Sequence, residues 1–449
     1  MPKYSKHFNA KNLIAQVCKC LDEIPDHRSR HRSDGIPFPN FAKSAFAMMH
    51  QKYPSLLEFD TVHNDPVRCH NLKTLYHVQD GRVPCDTHMR EMLDPIDPIQ
   101  LRKPFKKLFS LVQRNKLLKA FEFKCGDLHD WYLMPVDGTG LFYSGESRCE
   151  ECCIKNEGKP NESYYHNLMG GCLAHPNQKT VIPFAPEAIV RQDGSTKNDC
   201  EKNALKRYLA HVKREHPHLK LIILLDGLYA DNPTINLIKS YGWHYIIVAK
   251  DGNHLSLIEA MNALAEQEQI NYHETVDEET NTKHRFRFAN NVQLNSAKVA
   301  ETVNVLDYTE VDKKGHHHFW CWVTDIELTN ETVEAVMRGG RCRWHIENQT
   351  FNTLKNQGYN LEHNYGHGKY HLATNLAYLT FLAFLVDQIQ EMASPEFQKA
   401  LKERARGVRI YLWKAITRLF LSWVIEGWDE LFSALINGIK PSRIQINTS

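Results

Sequence analysis

Two aspartates in this chain follow apolar runs and precede glycine: Val136-Asp137-Gly138-Thr139-Gly140 and Leu225-Asp226-Gly227. A carboxylate at a strand end faces outward while the strand fixes its backbone. Glycine beside it lets a ligand come close. Two such carboxylates on neighbouring strands repel one another and favour a divalent cation between them. Hard oxygen ligands select magnesium or manganese. One Asp-Gly pair alone is an ordinary turn; the repetition after two buried strands points to a metal centre. A third acid stands in Cys342-Arg343-Trp344-His345-Ile346-Glu347. On a helix Arg343 and Glu347 share a face, which is also the spacing of a common surface ion pair.

A second group is softer. Cys149-x-x-Cys152-Cys153 is followed by His166, Cys172 and Cys200. A Cys-x-x-Cys turn holds structural zinc when two more ligands converge, and His166 and Cys200 are the candidates beside Cys149 and Cys152. No second close pair exists, so reduced cysteines remain the alternative. His363 and His367 are four apart, as in metal sites. Gly366 and Gly368 argue for a loop there, with both histidines shaping it rather than ligating. His316-His317-His318 reads as the solvated flank of a turn.

Apolar patterning predicts the elements that position these groups. Residues 1–125 read as mostly helical, with helices over 86–93 and 101–118. Strands are predicted over 131–136, 164–173 and 180–189, the second interrupted at Gly170-Gly171. A helix over 198–215 then leads to a strand over 219–225, a continuous apolar run that fits a strand buried on both faces. A helix over 234–241 and a strand over 243–249 follow. A crossover through helix 198–215 places the 219–225 strand parallel to its neighbour. Residues 251–325 carry three antiparallel strands, over 284–294, 303–310 and 317–324. A helix bearing Glu347 follows a break at Gly339-Gly340. The remainder, 371–449, is helical. The fold class is α/β: a mixed sheet with flanking helices, a β-rich insertion, and helical N- and C-terminal regions.

The three acids, two after strands and one on a helix beyond an insertion, resemble the DDE transposases of bacterial insertion sequences. The likeness is to the cut-and-paste group, with a ribonuclease H-like catalytic domain and a β-rich insertion before the glutamate. The stretches from Asp193 to Glu201 and from Asn360 to Gly368 are also similar to one branch of that family, and the resemblance spans roughly residues 85–370. It implies that Asp137, Asp226 and Glu347 are the catalytic metal ligands, for Mg2+ or Mn2+. The chain divides into 1–125, helical and read as a DNA-binding region, whose short helices fit either a helix-turn-helix or a plain helical bundle; 126–250 and 326–370, the catalytic domain; 251–325, the insertion; and 371–449, the helical C-terminal region. The family's glutamate helix also carries a tyrosine, an arginine and a lysine at set spacing. Arg343 matches the arginine. Gly340 stands at the tyrosine position and Leu354 at the lysine position, with Lys355 one residue later, rotated by about 100° on an α-helix.

The resemblance implies double-stranded DNA as partner, as terminal inverted repeats and target, and a homodimer as a possible assembly. Net charge is only +2, so global charge does not mark a nucleic-acid binder. Two local basic runs do more: 102–124, with Lys106 and Lys107, and 197–220, with Arg207 and Arg214. Such runs suit a phosphate backbone; each alone also fits a solvated helix face. The twelve cysteines in 449 residues do not make a disulfide framework. The N-terminus is polar, and the longest apolar run, 376–386, is too short to span a bilayer. The expectation is a cytoplasmic, nucleoid-associated bacterial enzyme without a membrane partner. Its function would be metal-dependent cleavage and strand transfer of insertion-sequence ends. A metal-dependent nuclease without strand transfer, and a non-catalytic DNA-binding descendant, are the alternatives.

Overall fold

The alternation of strands and helices after residue 120 builds one mixed sheet of twelve strands in the computed structural model, which describes residues 7–29, 35–61, 64–249, 254–295 and 301–438. The expectations on the first six residues and on 439–449 lie outside the described residues. The strands are β1 (Glu122–Cys125), β2 (Leu128–Ser144), β3 (Cys153–Lys155), β4 (Ser163–Leu173), β5 (Ile182–Pro183), β6 (Glu187–Ile189), β7 (Leu221–Leu225), β8 (His244–Val248), β9 (Asn271–Asp277), β10 (Thr282–Gln293), β11 (Thr302–Val311) and β12 (His317–Thr324). The main path runs β3-β4-β2-β7-β8-β12-β11-β10-β9. This is the mixed, ribonuclease H-like α/β architecture expected from the sequence.

All five residues of β7 are buried, as its unbroken apolar run requires of a central strand. It pairs in parallel with β2 on one side and β8 on the other. The helix Lys197–Glu215 makes the crossover that sets this direction. The β-rich insertion extends the same sheet: β12 pairs antiparallel with β8, and β11, β10 and β9 follow in hairpin order.

Three local expectations are corrected. The strand over 180–189 is two short pieces, because Pro183 and Pro186 lack the N–H that a continuous ladder needs. Gly170-Gly171 does not interrupt β4. A Cβ on Gly170 would lie 2.8 Å from Phe351 Cε1, and one on Gly171 would lie 2.6 Å from Tyr208 Oη, so the glycines let helices approach the sheet. Gly339-Gly340 is not a break either: both lie inside the helix Val333–Arg341. A Cβ on Gly339 would stand 2.9 Å from Ile246 Cδ1, and one on Gly340 would stand 2.5 Å from the indole of Trp322.

The N- and C-terminal helices pack on each other. Asn71 donates to the carbonyls of Phe420 and Trp423 at 2.7 and 2.6 Å, and the Trp428 indole donates to the carbonyl of Leu75 at 3.0 Å. Between them runs Leu372–Ala393, a helix twice the length of the apolar run read from the sequence. By length and composition alone it could cross a membrane, but its apolar stretch is wholly buried inside the protein, as a core helix is.

Candidate active site

β2 is longer than its apolar core suggests. Its first half pairs with β7, from Tyr132 opposite Leu221 to Pro135 opposite Leu224. Its second half, from Val136, pairs with β4. Asp137 therefore lies inside a strand rather than at its end, opposite Gly170 and at the point where β2 parts from β7. Continuing the parallel register by two residues brings Asp226, immediately beyond β7, opposite Asp137. The two aspartates thus share the point where neighbouring strands diverge, which is where open sheets offer a crevice.

Glu347 reaches this point from the other side of the chain. After Val333–Arg341 the helix turns at Cys342-Arg343 and runs into a π-helical turn, Ile346–Phe351, before resuming as Asn352–Asn356. Wide turns of this kind are rare and recur at functional sites. The buried Phe351 seats the π turn over Gly170 of β4. Arg343 joins the acids: Nη1 donates to Asp137 Oδ2 at 2.9 Å and Nη2 to Glu347 Oε1 at 2.7 Å.

The electrostatics follow from this arrangement. Burial pushes the Asp137 carboxyl up to about 6; Arg343 and the Gly138 N–H (2.8 Å to Oδ1) oppose the rise, while Asp226 and Glu347 add to it. Asp226 accepts the Leu228 N–H at 2.9 Å, capping a short turn, so it also has the structural role of a turn aspartate. The three carboxylates stand apart: only the cysteine–histidine group gathers ligating atoms within 4.8 Å among the described residues. Arg343, not a shared proton, holds Asp137 and Glu347 together. The donor set is all carboxylate oxygen, which fits a hard divalent ion.

Sequence reasoning passed over two residues here. Glu201 is one: a Cβ on Gly138 would lie 3.7 Å from its carboxyl carbon, and it shares its influence on the buried Tyr229 with Asp137 and Asp226. Its only signal was membership of the Asp193–Glu201 stretch. Tyr229 is the other, its hydroxyl buried without a hydrogen-bond partner among the described residues and its ionisation pushed up by burial.

The proposed DNA-contact residues divide. Lys106 and Lys107 are exposed on the helix Arg102–Arg114, and Arg214 is exposed near the end of Lys197–Glu215. Arg207 is engaged within the protein: it pairs with Glu187 at 2.9 Å and with Asp193, and donates to the Ala188 carbonyl. Arg102, in the other basic run, is likewise buried against Glu215 and Glu187. Both basic runs are thus partly structural, because acids distant in sequence neutralise them. Lys355 is paired with Glu362 at 2.8 Å.

Cys149, Cys152 and His166 come together as expected, but their fourth neighbour is His367. Cys200 lies elsewhere, its thiol directed at the Gly194 carbonyl at 3.5 Å, because the start of its helix faces the 191–194 turn. Gly366 and Gly368 do form a loop, with φ of +108° and +69°, yet that loop turns His367 into the cluster rather than away from it.

Comparison with known families adds one finding. The family model described as Transposase DDE domain matches residues 128–385, more than half of the chain and the whole span from Asp137 to Glu347. No curated protein matches the chain.

Proposed function

The chain belongs to the DDE transposase family, and on that premise we propose that it cleaves DNA at insertion-sequence ends and joins them to a target, using Asp137, Asp226 and Glu347 as catalytic metal ligands. The observation that carries this reading is Arg343. It bridges Asp137 and Glu347, more than two hundred residues apart, beside the point where the register brings Asp226 opposite Asp137.

The three carboxylates are the groups that would hold magnesium or manganese, which supplies Lewis acidity and an activated oxygen nucleophile in phosphoryl transfer. No side-chain nucleophile is needed. Arg343 has two roles: it keeps Asp137 and Glu347 in place before the ion arrives, and its guanidinium, once released, binds phosphate oxygens in the fork geometry that suits them. Asp137 must lose its proton to become a ligand.

Lys355 joins Arg343 as a phosphate contact. A π turn accommodates one extra residue in a helix. With that residue absorbed between 346 and 351, Lys355 falls where the seventh residue after Glu347 stands on an uninterrupted α-helix. Seven α-helical steps are about 700°, close to two full turns, so Lys355 returns to the face of Glu347. Leu354, fully buried, takes the core side. Lys106, Lys107 and Arg214 extend the contact along the duplex, and the helical region 1–125 carries part of it. The substrate class is double-stranded DNA with terminal inverted repeats, handled by a dimer.

The test is Asp226→Asn. It keeps size and turn-forming capacity but removes the charge that holds the ion. Cleavage of DNA bearing the element's ends should fall below detection with magnesium, while DNA binding stays nearly intact, because binding rests on cations that meet phosphate. Undiminished cleavage by the folded variant would remove Asp226 from the centre. Cleavage by the unmodified protein without joining of ends would favour the nuclease reading.

A further inference from the structure

We propose that Cys149, Cys152, His166 and His367 form a closed tetrahedral zinc site that clamps the loop after the Glu347 helix onto the edge of the sheet. The cysteines sit on the turn between β2 and β3, His166 is on β4, and His367 comes from the 360–371 loop. The sulfurs are 3.4 Å apart, and each is 3.4 Å from His166 Nε2. Cys152 Sγ is 3.1 Å from His367 Nδ1, and all four ligating atoms lie within 4.8 Å of one another. Tetrahedral zinc with ordinary bond lengths sets sulfur–sulfur separations near ~3.8 Å and sulfur–nitrogen separations near ~3.5 Å. The observed spacings are shorter by a few tenths of an ångström, so a small outward movement makes room for the ion.

Packing alone gives no account of this convergence. Two thiols and two imidazoles could satisfy each other as separate pairs, but pairing does not require all four ligating atoms to gather about one point within 4.8 Å of one another. Cys152, His166 and His367 are buried and Cys149 is half-buried, the enclosure that suits a structural ion. The Cys149 N–H donates to Cys152 Sγ at 3.3 Å, a contact that steadies a thiolate ligand. Phe142 packs against both imidazoles, with ring centroids at 5.5 and 5.1 Å, and shields the site. Two sulfurs and two nitrogens leave no open position, so the site is structural, and its soft donors exclude magnesium. A disulfide is remote from this geometry, since its sulfurs would lie about 2.05 Å apart.

The surroundings show what the clamp holds. Glu151, between the two cysteines, accepts from His371 Nδ1 at 2.7 Å and from Thr374 Oγ1 at 3.3 Å. Asp94 accepts the backbone N–H groups of Lys369, Tyr370, His371 and Leu372 at 2.8–3.0 Å. Gly366 and Gly368 adopt left-handed φ where a Cβ would meet Arg90 Nη1 at 2.7 Å and Asp94 Oδ1 at 2.3 Å. The loop is thus threaded tightly, with His367 between these two glycines, and the ion fastens its inner end.

The experiment is metal analysis of the untagged, full-length protein after exhaustive dialysis, with cobalt substitution as a second readout. The wild type should carry one zinc per chain, and its cobalt form should show the intense visible absorption of tetrahedral cobalt with a thiolate charge-transfer band. Cys152→Ser and His367→Ala should lose the zinc; Cys200→Ser and Asp226→Asn should keep it. His367→Cys should restore binding and strengthen the thiolate band, which a merely structural histidine would not do. Substoichiometric zinc in the wild type, a Cys149–Cys152 disulfide found by thiol counting, or undiminished zinc in folded His367→Ala would each overturn the proposal. If His367→Ala fails to fold, the wild-type stoichiometry and the cobalt spectrum of His367→Cys decide alone.

Discussion

The carboxylate site and the cysteine–histidine cluster both draw on β2 or its outgoing turn and on the segment that follows Gly340, while β7 leads to Asp226 in the one and β4 carries His166 in the other. They cohere by opposite means. In the carboxylate site the groups are all acids, and a cation of the protein's own, Arg343, ties Asp137 to Glu347. In the cluster the groups can be neutral, and their ligating atoms crowd within 4.8 Å of one another. Charge explains the difference. Carboxylates gathered without a cation pay both repulsion and desolvation, and Asp137 already shows the strain in a carboxyl pushed up to about 6. Thiols and imidazoles can shed their charge and pack as ordinary core side chains.

If Arg343 is the tie that stands in for metal, losing it should produce the largest effect outside the metal ligands themselves. Arg343→Ala should lower cleavage by about 10²–10³-fold, the scale of removing one preorganised donor from a developing phosphate charge. It should also leave zinc content unchanged. Arg343→Lys should recover little, because an ammonium cannot span both carboxylates as a fork does. Near-normal cleavage by Arg343→Lys would show that only the charge matters.

The proton on Asp137 gives the next test. Its carboxyl is raised in the folded state from 3.8 to about 6. A raised acid contributes stability that is full below its unfolded value and lost as pH rises through the folded value. The metal-free protein should therefore weaken between about pH 4 and pH 6, by at most about 3 kcal/mol. A divalent ion competes with that proton. Magnesium affinity should rise about tenfold per pH unit below about pH 5, about fivefold from pH 5 to pH 6, and level off above about pH 7. Melting curves with and without magnesium across this range would show it, and a stabilisation independent of pH would remove Asp137 from the ligand set.

Gly340 sharpens the comparison from the packing side. A side chain there meets the buried Trp322 indole at 2.5 Å. Gly340→Ala should cost about 1–3 kcal/mol in chemical denaturation, the range of an overpacked core. Where the resemblance leads one to expect a tyrosine, Trp322 leaves no space for one. A neutral Gly340→Tyr would mean that Trp322 can move aside.

These cases show what the sequence revealed and what it withheld. The two Asp-Gly pairs were legible because each follows an apolar run, a local pattern, although β2 continues through Asp137; β7, with every residue buried, reads directly as a central strand. The helix Asp86–Leu93 was legible from its period and the prolines after it. Long-range contacts were not. Gly339-Gly340 looks like a helix stop until Ile246 and Trp322, from distant strands, are seen beside it. Arg207 looks free until Glu187 and Asp193 are placed. His367 looked like a loop residue, and it is one, but a loop folded back onto a hairpin two hundred residues earlier. The π turn has no pattern in the residues themselves, since it arises where the helix must seat Phe351 over Gly170.

The smallest expected effect belongs to Lys355, where stability and function should separate. Its ammonium lies 2.8 Å from Glu362, a carboxylate that is more than half exposed. Exposed pairs of this kind contribute about 0–1 kcal/mol, so Lys355→Ala should change the unfolding free energy by no more than about that. If the π turn returns Lys355 to the face of Glu347, the same substitution should weaken binding to DNA ends and lower the slope of log affinity against log salt by about 1, one phosphate contact. Lys106→Glu with Lys107→Glu serves as the comparison, because two exposed cations on the helix Arg102–Arg114 should lower the slope by about 2. Arg207→Gln should instead leave the slope unchanged and cost stability, since its charge is already spent on Glu187 and Asp193. Should Lys355→Ala leave the salt dependence untouched while the paired lysine reversals reduce it, Lys355 would belong with Arg207 as a structural cation. The rotation assigned to the π turn would then be wrong.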